Sequence, residues 1–248
     1  MQLDRTVAAR GREFALHGSY DEAFARVAEA FAENYAVEEE IGSAVAVYFD
    51  GAKVVDLWGG YRDGAHSKPW NEDTIVCMMS VAKGISGMTF NTLIDRGLVD
   101  PDAPVAAYWP EFAQAGKEGV LVRHVLDHTA GLPVVLDPLW RGAIFDCDAI
   151  VAALEKQAPL WEPGTVAAYH IHTQGNILGE IVRRVTGKRF RDYIQDEVIR
   201  PLGGDYRIGN VFGADNDRCA ELVPTVVGTL FERKDSEPDS LLAQGFLQ

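Results

Sequence analysis

The spacing of hydrophobic residues changes period several times along the chain. Between Tyr20 and Tyr35, the positions Phe24, Val27, Ala28 and Phe31 recur every three or four residues, which predicts an amphipathic helix. From Gly42 to Tyr61 the period falls to two. Val45, Val47 and Phe49 alternate, Asp50-Gly51 marks a tight turn, and Val54, Val55, Leu57 and Trp58 follow, so this stretch predicts a β-hairpin. Thr74 to Gly97 returns to helical spacing through Met78, Val81, Ile85, Met88, Leu93 and Ile94. Asp100-Pro101 and Ala103-Pro104 then open a loop. Short helices are predicted over Val122–His128 and Asp148–Gln157, with a turn at Trp161-Glu162-Pro163-Gly164-Thr165. Asn176–Thr186 predicts an amphipathic helix capped by Gly187, and Phe190–Arg200 one stopped by Pro201. Beyond Gly203 the signals weaken.

One hairpin followed mostly by helix is an incomplete picture, because two strands alone make a poor sheet. The pattern is read as a single domain over 1–248. Its parts are a helix and hairpin in 1–75, a helical region in 76–203 and a weakly defined segment in 204–248.

Composition narrows the class. The 248 residues are 47% hydrophobic and 24% charged, ordinary globular values that exclude a fibre, a coiled coil and wholesale disorder. With 23 basic against 37 acidic residues the formal net charge is −14, which argues against nucleic acid and anionic membrane surfaces as partners. The densest basic cluster, Arg183-Arg184 with Lys188-Arg189 and Arg191, falls among helix-like residues and reads as a solvated face. Cys77, Cys147 and Cys219 are too scattered for a disulfide framework or a metal signature. Met1–Arg12 lacks the apolar core of a secretory signal, and no apolar stretch nears the ~20 residues of a membrane span. A cytoplasmic location is expected.

Among candidate chemistry, Ser80-Val81-Ala82-Lys83 stands out. Spacing of i and i+3 puts the hydroxyl and the amine on one helical face. A serine is a weak nucleophile until a base takes its proton, and a lysine is such a base only if its pKa is lowered. The apolar neighbours Cys77, Met78, Met79, Val81 and Ala82 are expected to provide that setting. If Ser80 opens the helix, its amide also faces developing negative charge. The second candidate is Tyr169, since a tyrosine near an ammonium can shuttle protons. Each feature alone has an ordinary structural explanation, a chance spacing or a core tyrosine.

Together they carry a resemblance. Met79-Ser80-Val81-Ala82-Lys83-Gly84 resembles the first motif of the serine β-lactamase-like superfamily, which includes class C β-lactamases, penicillin-binding proteins and family VIII carboxylesterases. Gly97-Leu98-Val99-Asp100, with Pro104-Val105 and Tyr108-Trp109-Pro110, is similar to the loop after that family's catalytic helix. Val122-Arg123-His124-Val125-Leu126-Asp127-His128-Thr129-Ala130-Gly131-Leu132 resembles its most recognisable structural segment, and Trp161-Glu162-Pro163-Gly164-Thr165 the approach to its tyrosine. The match spans roughly Gly42–Gly203, with its segments in order. It implies an α+β fold, an α/β sandwich with an antiparallel sheet flanked by helices and an inserted helical region. It also implies Ser80 as the acylated nucleophile, Lys83 as an aid to its deprotonation, and Tyr169 as base and then acid. No metal and no organic cofactor are implied, and the partner is a small-molecule ester or amide.

Two departures shape the expectation. Where the family carries Asn or Ser two residues after the tyrosine, this chain has Ile171, which removes an amide donor for a β-lactam or peptide. This favours a carboxylesterase of the family VIII kind, acting on short acyl chains, over a β-lactamase or D-amino-acid peptidase. No counterpart of the family's third motif is found after Gly203, so the chain reads as incomplete at its C-terminal side. On that reading the hairpin keeps an unpaired edge and an uncovered apolar face. A homo-oligomer, a complementing chain, or a degenerate non-catalytic homologue then follows.

Competing chemistries fit less well. His124 and His128 stand at i, i+4, but Val125 occupies the glutamate position of a zinc-peptidase helix. His170 and His172 would share one side of a strand. No serine has the Gly-x-Ser-x-Gly spacing of an α/β-hydrolase, and nucleotide-binding glycine patterns are absent.

Overall fold

The computed structural model describes residues 1–38, 40–140, 142–207 and 216–222. They form two compact units, Met1–Cys77 with residues 216–222, and residues 78–207.

The first unit is a four-stranded antiparallel sheet with one helix. Its strands are β1 (Gln2–Ala9), β2 (Arg12–Tyr20), β3 (Gly42–Phe49) and β4 (Ala52–Gly60), in the order β1-β2-β4-β3. The β3–β4 hairpin is as expected. Asp50 and Gly51 take φ of 49° and 77°, the left-handed pair of a two-residue turn that matches strand twist. The β1–β2 hairpin was not expected. It turns at Arg10-Gly11, also left-handed at 53° and 72°. β2 then pairs β4 from Leu16↔Gly59 to Tyr20↔Val55, so the hairpin expected to lack partners has one on its β4 side. The expectation of an uncovered face is also corrected. Helix α1 (Ala25–Val37) buries Ala28, Phe31, Ala32 and Tyr35 in one cluster with Phe14, Leu16, Val55 and Leu57 of β2 and β4. Burying each of these larger side chains contributes about 1.5–3 kcal/mol. The Tyr35 hydroxyl donates to Gly59 O at 2.9 Å and shares a 2.9 Å bond with Ser43 Oγ, tying helix to sheet.

The helix expected over Thr74–Gly97 starts late. Ile75 forms a parallel bridge with Cys219, donating to Arg218 O at 3.0 Å and accepting from Ala220 N at 2.7 Å, and this holds its segment extended. Helix α2 runs Ala82–Asp95, preceded by a single tight turn at Met79–Val81.

The second unit is helical. Besides α2 it contains α3 (Val122–Leu126), α4 (Cys147–Lys156), α5 (Thr173–Thr186) and α6 (Phe190–Ile194), the last passing into a wider π-type turn at Gln195–Ile199 before Pro201. Its core gathers Phe90 and Leu93 of α2, Val125 of α3, Leu154 of α4, and Ile177 and Ile181 of α5 around Trp109 and Phe112. Gly187 closes α5 at φ 73°, with its amide on Arg183 O at 2.9 Å, as its position at a helix end demands. Of the segment after Gly203, residues 208–215 and 223–248 lie outside the described residues, and with them the place where a third motif was sought.

Candidate active site

Ser80 sits in the tight turn that leads into α2, where backbone N–H groups face forward out of the helix. Met79, immediately before it, has φ 47°, a left-handed conformation that costs a non-glycine residue about 1–2 kcal/mol. This strained step presents Ser80 on the surface at the head of the helix, with its side chain exposed. Lys83, one turn on, is half-buried and donates from Nζ to the Ile171 carbonyl at 2.8 Å. The same ammonium lies 4.7 Å from the centroid of the Tyr169 ring.

Three of the expected site residues therefore converge, Ser80 and Lys83 from the head of α2 and Tyr169 from the segment before α5. The side chains of Ser80 and Lys83 both act on the phenol of Tyr169. Burial alone would push its pKa up, but those two side chains outweigh it and draw the pKa below the usual tyrosine value. One expectation is corrected. The apolar residues flanking Ser80 in sequence do not enclose Lys83, for Met79 is 52% and Val81 65% exposed. Its surroundings come from the 169–171 segment, 86 or more residues away in sequence.

The segment Asp127–Leu132 anchors that tyrosine-bearing stretch. Thr129 donates through its amide at 3.1 Å and its hydroxyl at 2.6 Å to Asp127 Oδ1, and Thr129 O accepts from Gly164 N at 3.0 Å. Gly131 is left-handed at φ 78°, and a Cβ there would stand 2.8 Å from Pro159 Cβ, so glycine is required for the approach. His170 is fully buried with both ring nitrogens engaged. Nε2 accepts from Leu132 N at 3.1 Å and Nδ1 lies 2.6 Å from Ala168 O. Burial, more than any other cause, pushes its pKa down to about 4, so it is neutral. These bonds correct the strand geometry expected for His170 and His172, since residues 165–170 form no strand. Among the described residues no three His, Cys, Asp or Glu side chains converge on one point.

Beside Lys83, an apolar cavity of about 30 Å³ is lined by Val134, Val135, Ile144, Ile150, Ile171 and His172, among others. Ile171 thus lines the cavity and also holds Lys83 through its carbonyl. His172 feels the same ammonium, which together with the dominant effect of burial lowers its pKa. Such a group can move a proton between a serine and a phenol beside a fixed positive charge. Sequence reasoning missed two parts of it. The Ile171 carbonyl is main chain and invisible to residue type, and His128, read as structural, has its ring against Tyr169 at 4.8 Å between centroids.

The profile of the Beta-lactamase family matches residues 24–221. The chain is 38% identical over 210 residues to the esterase/beta-lactamase LipL of Mycobacterium tuberculosis, covering 83% of this chain and 48% of that protein. In three dimensions it is similar to a family VIII carboxylesterase, with a TM-score of 0.80 and 38% identity over 84% of this chain and 57% of the other. It is equally similar to a penicillin-binding protein homologue from Caulobacter crescentus, with a TM-score of 0.80 and 37% identity over 84% of this chain and 56% of that one. The chain spans about half the length of these relatives.

Proposed function

This chain belongs to the beta-lactamase family and has its fold of antiparallel sheet and helices, and on that premise we propose that it is a serine hydrolase cleaving carboxylic esters through an acyl-enzyme on Ser80. The observation that carries the reading is the Tyr169 ring with the Lys83 ammonium 4.7 Å from its centre, its phenol pKa drawn down by Ser80 and Lys83 against burial. In the first half-reaction Tyr169, as phenolate, takes the Ser80 proton while Oγ adds to the ester carbonyl. The Ser80 amide faces the resulting oxyanion. Tyr169 then returns the proton to the departing alkoxide, leaving the acyl group on Oγ. In the second half-reaction Tyr169 deprotonates a water that attacks the acyl-enzyme, and Ser80 recovers its proton. Throughout, the Lys83 ammonium stabilises the phenolate, held in place by the Ile171 carbonyl.

The substrate is assigned as an ester of a short apolar acyl group. The cavity beside Lys83, about 30 Å³, admits roughly two or three non-hydrogen atoms. Ile171 gives that wall an apolar side chain with no amide to hold a β-lactam. Cys77, Cys147 and Cys219 form no disulfide among the described residues, which suits a reducing cytoplasmic setting. No helix among the described residues is long and apolar enough to cross a membrane. The edge strand β3 is the place where a second copy or a complementing chain would pair.

The test is labelling with a fluorophosphonate, followed by intact mass and peptide mapping, beside hydrolysis of p-nitrophenyl esters from acetate to octanoate. One adduct on Ser80, lost in Ser80→Ala, with turnover falling beyond butyrate, is the expected result. A folded chain that takes no adduct sinks the reading in favour of a non-catalytic member. Turnover of a chromogenic cephalosporin faster than of any ester assigns a β-lactamase instead.

A further inference from the structure

His128 touches all three consecutive residues around the tyrosine. Its carbonyl accepts from Ala168 N at 3.1 Å, its Nδ1 accepts from His170 N at 3.1 Å, and its ring packs on that of Tyr169 at 4.8 Å with the planes inclined at 54°. The side chain can do this because the backbone at His128 is left-handed, at φ 66°, which turns it toward the 168–170 segment. Left-handed backbone is uncommon outside glycine and strained, and such strain persists where surrounding contacts over-determine it. The bonds of Asp127 to Thr129 and of Thr129 to Gly164 do so here.

We propose that His128 is a positioning residue for Tyr169, and that it holds the phenol against Ser80 and Lys83 only while its own imidazole is neutral. The inference rests on the reading of Tyr169 as the proton carrier. Its chemical basis is the direction of one hydrogen bond. Nδ1 accepts the His170 amide, so Nδ1 carries no proton, and protonating it turns an acceptor into a donor facing another donor. The segment must then shift, carrying Tyr169 with it.

The groups around the ring favour the neutral state. Burial lowers the His128 pKa most, Lys83 of α2 lowers it further, and Asp127 on its own turn works the other way. From the tyrosine-bearing segment it is faced by Tyr169 and His170, whose ring lies 5.5 Å away between centroids. The hold is therefore intact at neutral pH and lost on acidification, at a pH below the ordinary histidine range.

Two variants separate positioning from mere structure. His128→Asn places an amide oxygen near the site of Nδ1, tolerates the left-handed backbone and cannot be protonated. His128→Phe keeps a ring but removes the acceptor. Two readouts are used on the 248-residue chain. One is the ¹³Cζ resonance of Tyr169 in tyrosine-labelled protein, assigned by its absence in Tyr169→Phe. The other is the rate of Ser80 phosphonylation against pH.

In the wild type, acidification is expected to move the Tyr169 resonance and slow labelling in one step. His128→Asn should keep the neutral-pH resonance, label within about 3-fold of wild type and lose that step. His128→Phe should shift the resonance at every pH and label about 10–100-fold more slowly, the scale of a small misplacement of a reacting group. An unmoved resonance in His128→Phe, or an acid step that survives in His128→Asn, overturns the proposal; in the second case His170 becomes the source. If His128→Phe does not fold, the fate of the acid step in His128→Asn decides alone. A wild-type chain whose Tyr169 resonance behaves as expected but whose Ser80 takes no label overturns the hydrolase reading and supports the positioning one.

Discussion

The ammonium of Lys83 stands 4.7 Å from the centre of the Tyr169 ring, and with Ser80 it draws the phenol's pKa down against burial. On the proposed reading Lys83 holds a phenolate, and the proton traffic falls to the tyrosine.

That placement has a pH signature. A base of lowered pKa works above that pKa, so the acylation rate should rise with pH through the Tyr169 titration. Lys83→Met keeps the stem and removes the charge. The rise should then move to higher pH, and the neutral-pH rate should fall about 10²–10⁴-fold, as for the loss of general-base assistance. Rates of ester hydrolysis or Ser80 labelling from pH 6 to 10 check this; a profile that drops in height without moving would assign Lys83 a purely steric part.

On the proposed reading Ile171 separates two kinds of substrate. Its carbonyl serves Lys83, and that function survives any side chain. Ile171→Asn puts an amide on the cavity wall and leaves the carbonyl in place. Relative to the wild type, kcat/KM for a chromogenic cephalosporin should rise and that for p-nitrophenyl butyrate should fall, the ratio changing by about 10-fold or more for one well-placed hydrogen bond.

Lys117 is a second lysine with an unusual setting, and a structural one. It is 0% exposed and donates to Gln114 O, Glu155 O and Gln157 O at 2.7, 3.0 and 2.6 Å. It thereby satisfies carbonyls at the end of α4. Burial lowers its pKa to about 8, opposed by the charge of Glu155. A lysine whose folded pKa lies below its unfolded value binds fewer protons when folded. Stability from this group therefore rises with pH, between about 8 and the ordinary lysine value. Lys117→Met removes the ammonium donor from three carbonyls, of which Gln114 O keeps the Lys117 amide at 3.4 Å, and should cost about 1–3 kcal/mol at pH 7. Urea unfolding at pH 7 and 9.5 should show the wild type gaining stability with pH and the variant not sharing that gain.

Gly18 tests the unexpected strand pairing. It is left-handed at φ 124°, and a Cβ there would stand 2.0 Å from Asp56 O of β4. Gly18→Ala must push β2 and β4 apart, at a cost of about 2–4 kcal/mol. Gly11→Ala, at φ 72° with open space around it, carries only the backbone penalty of about 1–2 kcal/mol. Comparable losses in the two would mean that β2 does not pack on β4 as described.

Much of this was legible in the residues. The β3–β4 hairpin followed from strict alternation around Asp50-Gly51, a pair whose turn chemistry is local. Helix α5 and its Gly187 cap followed from periodicity plus one glycine. The convergence of Ser80, Lys83 and Tyr169 was expected from motifs in order along the chain. The first hairpin did not. Its turn, Arg10-Gly11, lacks the Asn or Asp that usually announces a left-handed pair, and β1 alternates small or charged residues whose burial is weak. The start of α2 was misplaced because Ile75 is captured by Cys219, a partner 144 positions away that no local pattern reveals.

By itself, then, the sequence determined the period of elements such as the β3–β4 hairpin and α5, and which serine, lysine and tyrosine to propose for acyl-transfer chemistry, because both are properties of neighbouring residues or of residue type. Tertiary structure decided how those groups are tuned. The company of Lys83 is a carbonyl and a ring from the 169–171 segment, in place of the apolar residues beside it in the chain. The phenol of Tyr169 is shifted by side chains that reach it only once α2 and that segment meet. The grip of His128 on residues 168–170 depends on a left-handed backbone and on which ring nitrogen is bare. Electrostatic shifts and hydrogen-bond directions depend on distances of a few ångströms between residues far apart in sequence, and only the folded chain sets those distances.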